Sequence, residues 1–159
     1  MKELQGSRIA SGCRFAIVVA RFNEAITEGL LRGALQALAE AAVRDEDVTI
    51  VRVPGSFEIP VAALRVAETG DVDAVICIGC LIKGDTLHFE YIASAACQAI
   101  AEAAGATGVP MALGVLTTLT EEQAIARAAE GSDNKGREAA LAAVEMATLF
   151  RRLQESPRE

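Results

Sequence analysis

Short apolar segments rich in β-branched residues alternate along this chain with longer segments rich in Ala and Leu. The short segments predict four strands, at Arg14–Ala20, Val48–Val53, Ala74–Cys80 and Met111–Thr117. Because these runs are almost continuously apolar, we expect the strands to be covered on both faces, as in a parallel sheet. The alternation therefore predicts an α/β fold, a three-layer α/β/α sandwich around a four-stranded parallel sheet.

The longer segments predict five helices, three of them long enough to cross between strands. Their expected ranges are Glu24–Ala42, Ile59–Thr69, His88–Ala106, Glu121–Ala129 and Gly136–Gln154. Local signals agree: Asn23 is a candidate cap of the first helix, and Thr120 with Gln123 fits a capping box. Gly105 and Gly108 are expected to end the third helix. Residues 130–134 are expected to form a hinge between the last two helices.

Length and composition predict one domain over residues 1–159, with a short flexible N-terminus and a polar C-terminal tail at Glu155–Glu159. Hydrophobic residues make up 52% of the chain, enough for a full core. The sequence shows neither a signal peptide nor a membrane-spanning pattern, so we expect a cytoplasmic protein without a membrane partner. A formal charge of −7 argues against a nucleic-acid surface.

Two of the four cysteines have a spacing found in redox and zinc sites. Cys77 and Cys80 form a C-x-x-C pair, but the pair falls inside a predicted buried strand and has no second metal-like pair. We therefore expect all four cysteines, Cys13 and Cys97 included, to be reduced structural thiols, and we expect no metal.

The only histidine, His88, lies just beyond the third predicted strand, at the start of the next helix. Imidazole is suited to proton transfer near neutral pH, and open α/β sheets bind ligands at the carboxyl ends of their strands. A helix-terminal residue bonded to a backbone group is the alternative. Because the carboxyl ends of parallel strands lie on one edge, we expect the loops after all four strands to converge on a small-molecule site.

Other loop residues are open to two interpretations each. Phe22 suits stacking on a planar ring, or it covers the first helix as an apolar cap. Glu58 suits hydrogen bonding to ligand hydroxyls, or it complements a helix dipole. The backbone amides near Gly84 and Thr86 suit a phosphate, although the carboxylate of Asp85 would have to point away.

The common nucleotide and signalling motifs are absent. No G-x-G-x-x-G follows the first strand, and the Gly79–Gly84 segment lacks the Lys-Ser or Lys-Thr of a P-loop. A phospho-receiver domain needs carboxylates at the ends of the first and third strands, where this chain has Ala20 and Cys80. These absences exclude the commonest functions of such folds.

Five segments, in the order and at the spacing of one family, resemble lumazine synthases, which adopt a flavodoxin-like fold. The segments are Ala20–Asn23, Val53–Pro60, Gly79–Tyr91, Gly114–Thr117 and Asn134–Ala140. The resemblance implies a transferase of riboflavin biosynthesis. Its members condense 5-amino-6-(D-ribitylamino)uracil with 3,4-dihydroxy-2-butanone 4-phosphate to 6,7-dimethyl-8-ribityllumazine, phosphate and water, without cofactor or metal.

The resemblance also implies roles for individual residues. His88 matches the proton-transfer residue, and Arg127 matches the residue that holds the phosphate from a neighbouring subunit. Glu138 matches the acid that orients this arginine, and Lys135 a basic residue near the pocket. The remaining matched substrate-binding positions are Phe22, Asn23, Ser56, Phe57, Glu58, Cys80, Leu81, Ile82, Asp85, Thr86 and Leu113. Leu113 departs from the family, which usually has an aromatic residue there.

Assembly is the third implication of the resemblance. Family members form pentamers, and in some of them twelve pentamers pack into an icosahedral shell. The resemblance also implies an association with riboflavin synthase. Residues Leu4–Ile9 are expected to pair with the sheet of an adjacent subunit. Two other functions stay open: a lumazine or riboflavin carrier without turnover, and a shell-forming scaffold with a vestigial pocket.

Overall fold

The computed structural model describes residues 1–155. In chain order it contains β1 (Phe15–Ala20), α1 (Glu24–Glu40), a 3-10 turn (Asp45–Asp47), β2 (Val48–Val53), a second 3-10 turn (Ser56–Glu58), α2 (Ile59–Glu68), β3 (Ala74–Ile82), α3 (His88–Thr107), β4 (Met111–Thr118), α4 (Glu121–Ala128) and α5 (Lys135–Glu155). Every predicted strand and helix is present. Of the predicted polar tail, Glu155 is the last residue of α5 and residues 156–159 lie outside the described part.

The four strands form one parallel sheet in the order β2-β1-β3-β4. Phe15 of β1 lies opposite Val48 of β2 and Ala74 of β3, and the pairings run in register from there. Both the parallel sheet and the strand order, which matches the flavodoxin-like order, confirm the predicted α/β fold class.

The centre of the sheet separates two apolar cores. Alternate residues of β1 face opposite sides: Phe15 and Ile17 belong to the core with α1, α4 and α5, whereas Ala16 and Val18 belong to the core with α2 and α3. All six residues of β1 are buried. The continuous apolar run therefore reflects a strand with helices on both faces, as expected.

The edge strands depart from this expectation. In β2, the side chains of Thr49, Ile50 and Arg52 are exposed, and in β4 Leu113 is 53% exposed. The prediction that every strand is covered on both faces is therefore wrong for β2. A run of β-branched residues signals a strand but does not tell whether it lies at the centre or at the edge of the sheet.

Three local predictions need correction. Gly105 lies inside α3, which ends at Gly108 with a left-handed φ of 69°. Asn23 adopts a φ of 60°, and its side chain makes no capping bond to α1. In the predicted box, Thr120 does accept from the N–H of Gln123, but the Gln123 side chain accepts from Leu119 rather than from Thr120.

The predicted hinge at residues 130–134 forms a corner in which the exposed residues 130–133 lead to the buried Asn134. Asn134 is only 2% exposed, and its carboxamide donates to the backbone oxygens of Gly29, Ala128 and Ala129. Close by, Gly136 of α5 lies directly against the backbone of Leu30 in α1. The first turn of α5 is thereby held tightly against α1 and the end of α4.

The N-terminal residues lie along α5 of the same chain. The N–H of Ser7 donates to Thr148 Oγ1 at 2.7 Å, and Arg152 donates to the backbone oxygen of Gln5 at 2.7 Å. Residues Leu4–Ile9 form no strand here, and their pairing with an adjacent subunit stays a prediction. Within residues 1–155, none of the helices combines the length and the apolar character that crossing a bilayer requires.

All four cysteines are free, as expected, and both members of the C-x-x-C pair lie within β3. Burial raises the pKa of the Cys77 thiol to about 12 and that of Cys80 to about 11. The thiolate is the reactive form, so neither side chain is poised for nucleophilic or redox chemistry.

Stability should fall at alkaline pH through Cys77. The unfolded chain releases the Cys77 proton above its ordinary pKa of 9.0, whereas the folded chain keeps it until about 12. The contribution of the Cys77 thiol to the free energy of unfolding is therefore fully present below pH 9. It is lost as the pH rises toward the folded pKa, by about 1 kcal/mol per pH unit. Urea unfolding of the wild type and Cys77→Ala between pH 8 and pH 11 measures it. A constant difference between the two proteins over this range would contradict the prediction.

Gly136→Ala should lower the free energy of unfolding by about 1–3 kcal/mol, because a methyl group there collides with the backbone oxygen of Leu30. Gly105→Ala is the matched control, since Gly105 is also helical but has open space around it. We expect Gly105→Ala to leave the free energy of unfolding unchanged or to raise it by up to about 1 kcal/mol. Equal effects of the two variants in urea unfolding would argue against the tight α1–α5 contact.

Candidate active site

The loop after β1 is attached to both neighbouring strands. The N–H groups of Arg21 and Phe22 donate to the backbone oxygens of Val53 and Pro54 at 2.8 and 3.0 Å. The side-chain amide of Asn23 then donates to the backbone oxygen of Cys80 at 2.9 Å. These bonds hold the loop while leaving the Phe22 ring 66% exposed at the carboxyl edge of the sheet.

The turn after β2 presents Glu58 at the start of α2. Ser56 is 4% exposed and packs against Gly79 of β3, where a Cβ would come within 2.5 Å of the serine oxygen. Gly79 thus makes room for the turn. The N–H of Glu58 bonds back to Gly55 at 3.2 Å, and Glu58 is half-buried at this position.

Strand β3 continues two residues beyond the predicted end, to Ile82. Its extension is held by β4, because Leu81 pairs with Thr117 and the N–H of Lys83 donates to Thr118 at 2.9 Å. After a short exposed loop, His88 begins α3 with an exposed side chain. Its backbone N–H lies 3.4 Å from the Thr86 hydroxyl, and no side chain caps this helix.

The loops after β1, β2 and β3 enclose a first cavity of about 720 Å³. Its walls are largely apolar and aromatic, with one carboxylate, two hydroxyls and one imidazole. The lining residues are Phe22, Pro54, Gly55, Ser56, Phe57, Glu58, Leu81, Ile82, Gly84, Thr86, His88, Phe89 and Ile92. Such a cavity suits a planar ring that carries hydroxyl groups.

Of the residues predicted in the loops after β1, β2 and β3, three lie outside this lining: Asn23, Cys80 and Asp85. The Cys80 side chain is buried, and its backbone oxygen is engaged by Asn23. Asp85 is exposed beside the loop. Conversely, Phe89 and Ile92 line the cavity, although the sequence did not identify them as site residues. Helical spacing could have identified Ile92, since residues four positions apart lie on one face of a helix, but it gives no such signal for Phe89, which directly follows His88.

Four predicted residues lie in a second cavity of about 310 Å³, between β4 and helices α4 and α5. They are Leu113, Arg127, Lys135 and Glu138. Arg127 donates to the backbone oxygen of Gln123 at 3.0 Å, and Lys135 forms a 2.7 Å ion pair with Glu138. Within residues 1–155, Glu138 makes no ion pair with Arg127, the residue that it was expected to orient.

The two cavities share no lining residue, so one chain does not bring all the predicted residues together. The expected convergence holds for the loops after β1, β2 and β3, whereas the residues of β4 and the following helices line a separate cavity. Each cavity is chemically incomplete: the first has the imidazole, and the second has the guanidinium and the ammonium. Across the described residues, no group of three or more His, Cys, Asp or Glu side chains could hold a metal ion.

Comparison with known proteins agrees with these motifs and this fold. A family profile described as 6,7-dimethyl-8-ribityllumazine synthase matches residues 12–151. A protein of Salinibacter ruber (strain DSM 13855 / M31) named 6,7-dimethyl-8-ribityllumazine synthase is 52% identical over 151 residues, which cover 95% of this chain and 97% of the relative. The profile covers both cavities, and the relative covers almost the whole chain. The chain therefore belongs to the 6,7-dimethyl-8-ribityllumazine synthase family, whose enzymes act in riboflavin biosynthesis.

Proposed function

We propose that the first cavity of one subunit and the second cavity of a neighbour form one composite active site. There the enzyme condenses 5-amino-6-(D-ribitylamino)uracil with 3,4-dihydroxy-2-butanone 4-phosphate. The observation that carries the proposal is the separation of two complementary cavities within one chain. In this proposal, residues 1–159 form a single domain. One surface of the domain carries the first cavity, another carries the second, and each cavity supplies half of an active site.

The first cavity holds the pyrimidine. Phe22 stacks on its ring, for which the exposed aromatic face at the cavity wall is available. Glu58 accepts hydrogen bonds from the ribityl hydroxyls, with Ser56 and the β3 segment Leu81–Ile82 on the same wall. Phe57 and Thr86 complete this surface, while Asn23 and Cys80 support it from behind through their mutual hydrogen bond.

The phosphate of the second substrate lies between the two surfaces. The N-cap residue of α3, Leu87, provides no side-chain cap, and the positive dipole end of this helix favours an anion. Arg127 of the adjacent subunit supplies a planar guanidinium that can bind phosphate through two parallel hydrogen bonds. The single bond to Gln123 leaves further N–H donors of Arg127 for this purpose. Lys135 adds a second positive charge, and Glu138 holds it in place.

The reaction needs proton transfer and orientation more than covalent catalysis. The amine of the pyrimidine attacks the ketone and, with loss of one water, gives a Schiff base; phosphate then leaves, and ring closure releases a second water. His88 has an exposed imidazole at the cavity rim and moves the protons between these steps. Holding both substrates in one cavity supplies the remaining rate acceleration through proximity. Leu113 offers an apolar contact in place of an aromatic one.

A composite site requires assembly, and we propose pentamers as the basic unit. Exposed apolar side chains at both cavities, such as Phe57 at 62% and Leu113 at 53%, are consistent with surfaces that a neighbour covers. Packing of twelve pentamers into an icosahedral shell, pairing of Leu4–Ile9 with a neighbouring sheet, association with riboflavin synthase, and a cytoplasmic location extend the proposal. The native particle mass distinguishes monomer, pentamer and shell.

Two impaired variants should complement each other if the site is composite, provided that the rate is measured at a butanone phosphate concentration below the wild-type KM. His88→Ala disables the first cavity and Arg127→Ala the second, so each homogeneous assembly has only damaged sites. In assemblies mixed randomly by co-expression, about a quarter of the sites combine two intact halves. Lumazine absorbance measures the recovered rate, and separately purified variants combined without subunit exchange serve as the control. Mixed particles no more active than this control would exclude a composite site.

Arg127→Ala should raise the KM for the butanone phosphate by roughly thirtyfold, because a charged hydrogen bond worth about 2 kcal/mol is lost. The KM for the pyrimidine should change little. Arg44→Ala is the matched control: it removes the same charge at the 3-10 turn before β2, where Arg44 pairs with Glu46 and Asp47. Steady-state kinetics with each substrate varied in turn provide the measurement. An unchanged KM for the phosphorylated substrate would show that the phosphate lies elsewhere.

A further inference from the structure

Asn134 uses its whole carboxamide in the corner between α4 and α5. The two hydrogens of its Nδ2 are shared among three backbone oxygens, those of Gly29 at 3.1 Å, Ala128 at 3.0 Å and Ala129 at 3.1 Å. Its Oδ1 accepts from the N–H of Arg137 at 3.0 Å. The side chain is buried, lines neither cavity and so contacts no substrate surface.

Apart from the bond to Gly29, these bonds end within two residues of Arg127 or Glu138, which line the second cavity. Ala128 directly follows Arg127, and Lys135 directly follows Asn134. The N–H of Glu138 donates to the backbone oxygen of Asn134 at 3.1 Å. Thus one carboxamide connects the backbone segments that carry the guanidinium, the ammonium and the carboxylate, and ties all three to α1 through Gly29.

The surroundings allow this corner little freedom. A Cβ at Gly33 would collide with the Asn134 carboxamide, and a Cβ at Gly29 would lie 2.7 Å from the backbone oxygen of Ala128. Helix α1 therefore approaches the corner at glycine positions. Because the carboxamide is enclosed on this side, a shift of α4 relative to α5 would break at least one of its bonds.

We propose that Asn134 is a positioning residue that sets the location of Arg127 relative to Lys135 and Glu138 for phosphate binding. This inference rests on the proposed function of the second cavity. A guanidinium binds phosphate through two directed bonds, so a displacement of its helix by a fraction of an ångström weakens binding. The effect should be confined to the substrate that carries the phosphate.

Asn134→Asp tests the proposal with almost no change in size. The carboxylate can still accept from Arg137, but its second oxygen faces three backbone oxygens where Nδ2 donated. We expect the KM for the butanone phosphate to rise by roughly tenfold or more. The KM for the pyrimidine should change by less than about twofold, because the first cavity lies on other elements. Asn134→Ser, which keeps a short acceptor and introduces no charge, gives the same measurement if the aspartate variant does not fold.

Thr148→Val is the matched control for loss of stability alone. Thr148 is also a buried polar residue of α5, bonded to Val144 and to the N–H of Ser7, but it lies outside both cavities. We expect this variant to unfold more easily while both KM values stay unchanged. If the Asn134 variants also leave both values unchanged, or raise both equally, the positioning role is refuted. Should Arg127→Ala itself leave the KM for the phosphorylated substrate unchanged, the function assigned to the second cavity fails instead.

Discussion

The hydrogen bonds at the carboxyl end of β1 determine where the first cavity forms. Because β1 lies between β2 and β3, the loop that follows it can bond to both neighbours at once: to Val53 and Pro54 through its backbone, and to Cys80 through Asn23. The left-handed backbone at Asn23 allows this turn. A central strand in a parallel sheet thereby fixes three loops relative to one another, and the exposed Phe22 ring is held at their meeting point.

The second cavity depends on a different set of contacts, between α1, α4 and α5. Glycines let α1 approach α5 closely, and the buried Asn134 amide joins the end of α4 to both helices. Two rigid surfaces on separate elements suit the proposed composite site, since a neighbouring subunit then completes each cavity without internal rearrangement. In that arrangement, the neighbouring subunit covers the apolar side chains that a single chain leaves exposed at these surfaces.

The periodicity of the sequence was sufficient to predict all the strands and α-helices, because buried strands and amphipathic helices differ in their apolar spacing. It did not reveal that β2 is an exposed edge, since strand order depends on contacts between distant segments. Gly105 is expected to end α3, but one exposed glycine costs a helix only about 1 kcal/mol, and the alanines on both sides of it favour the helix. The role of Asn134 was equally invisible, because its partner Gly29 lies 105 positions away.

The candidate site was predictable in part for similar reasons. The loop motifs and the resemblance identified most residues of both cavities, including His88 and Arg127. The Cys80 side chain faces the core, and its backbone oxygen accepts a hydrogen bond from Asn23. The sequence could not show either feature, because both depend on contacts between distant segments. The pairing of Glu138 with Lys135 rather than with Arg127 likewise reflects local helix geometry, in which residues three positions apart meet.

The burial of Cys77 and Cys80 in β3 also has a consequence for how the protein tolerates oxidants. Peroxides and disulfide reagents attack thiolates that are accessible to solvent, and these two side chains are neither ionised near neutral pH nor exposed. The strand that leads into the first cavity can therefore keep its geometry during oxidative stress. We expect this C-x-x-C pair not to respond to changes in the cellular redox potential, despite a spacing usually associated with sensing them.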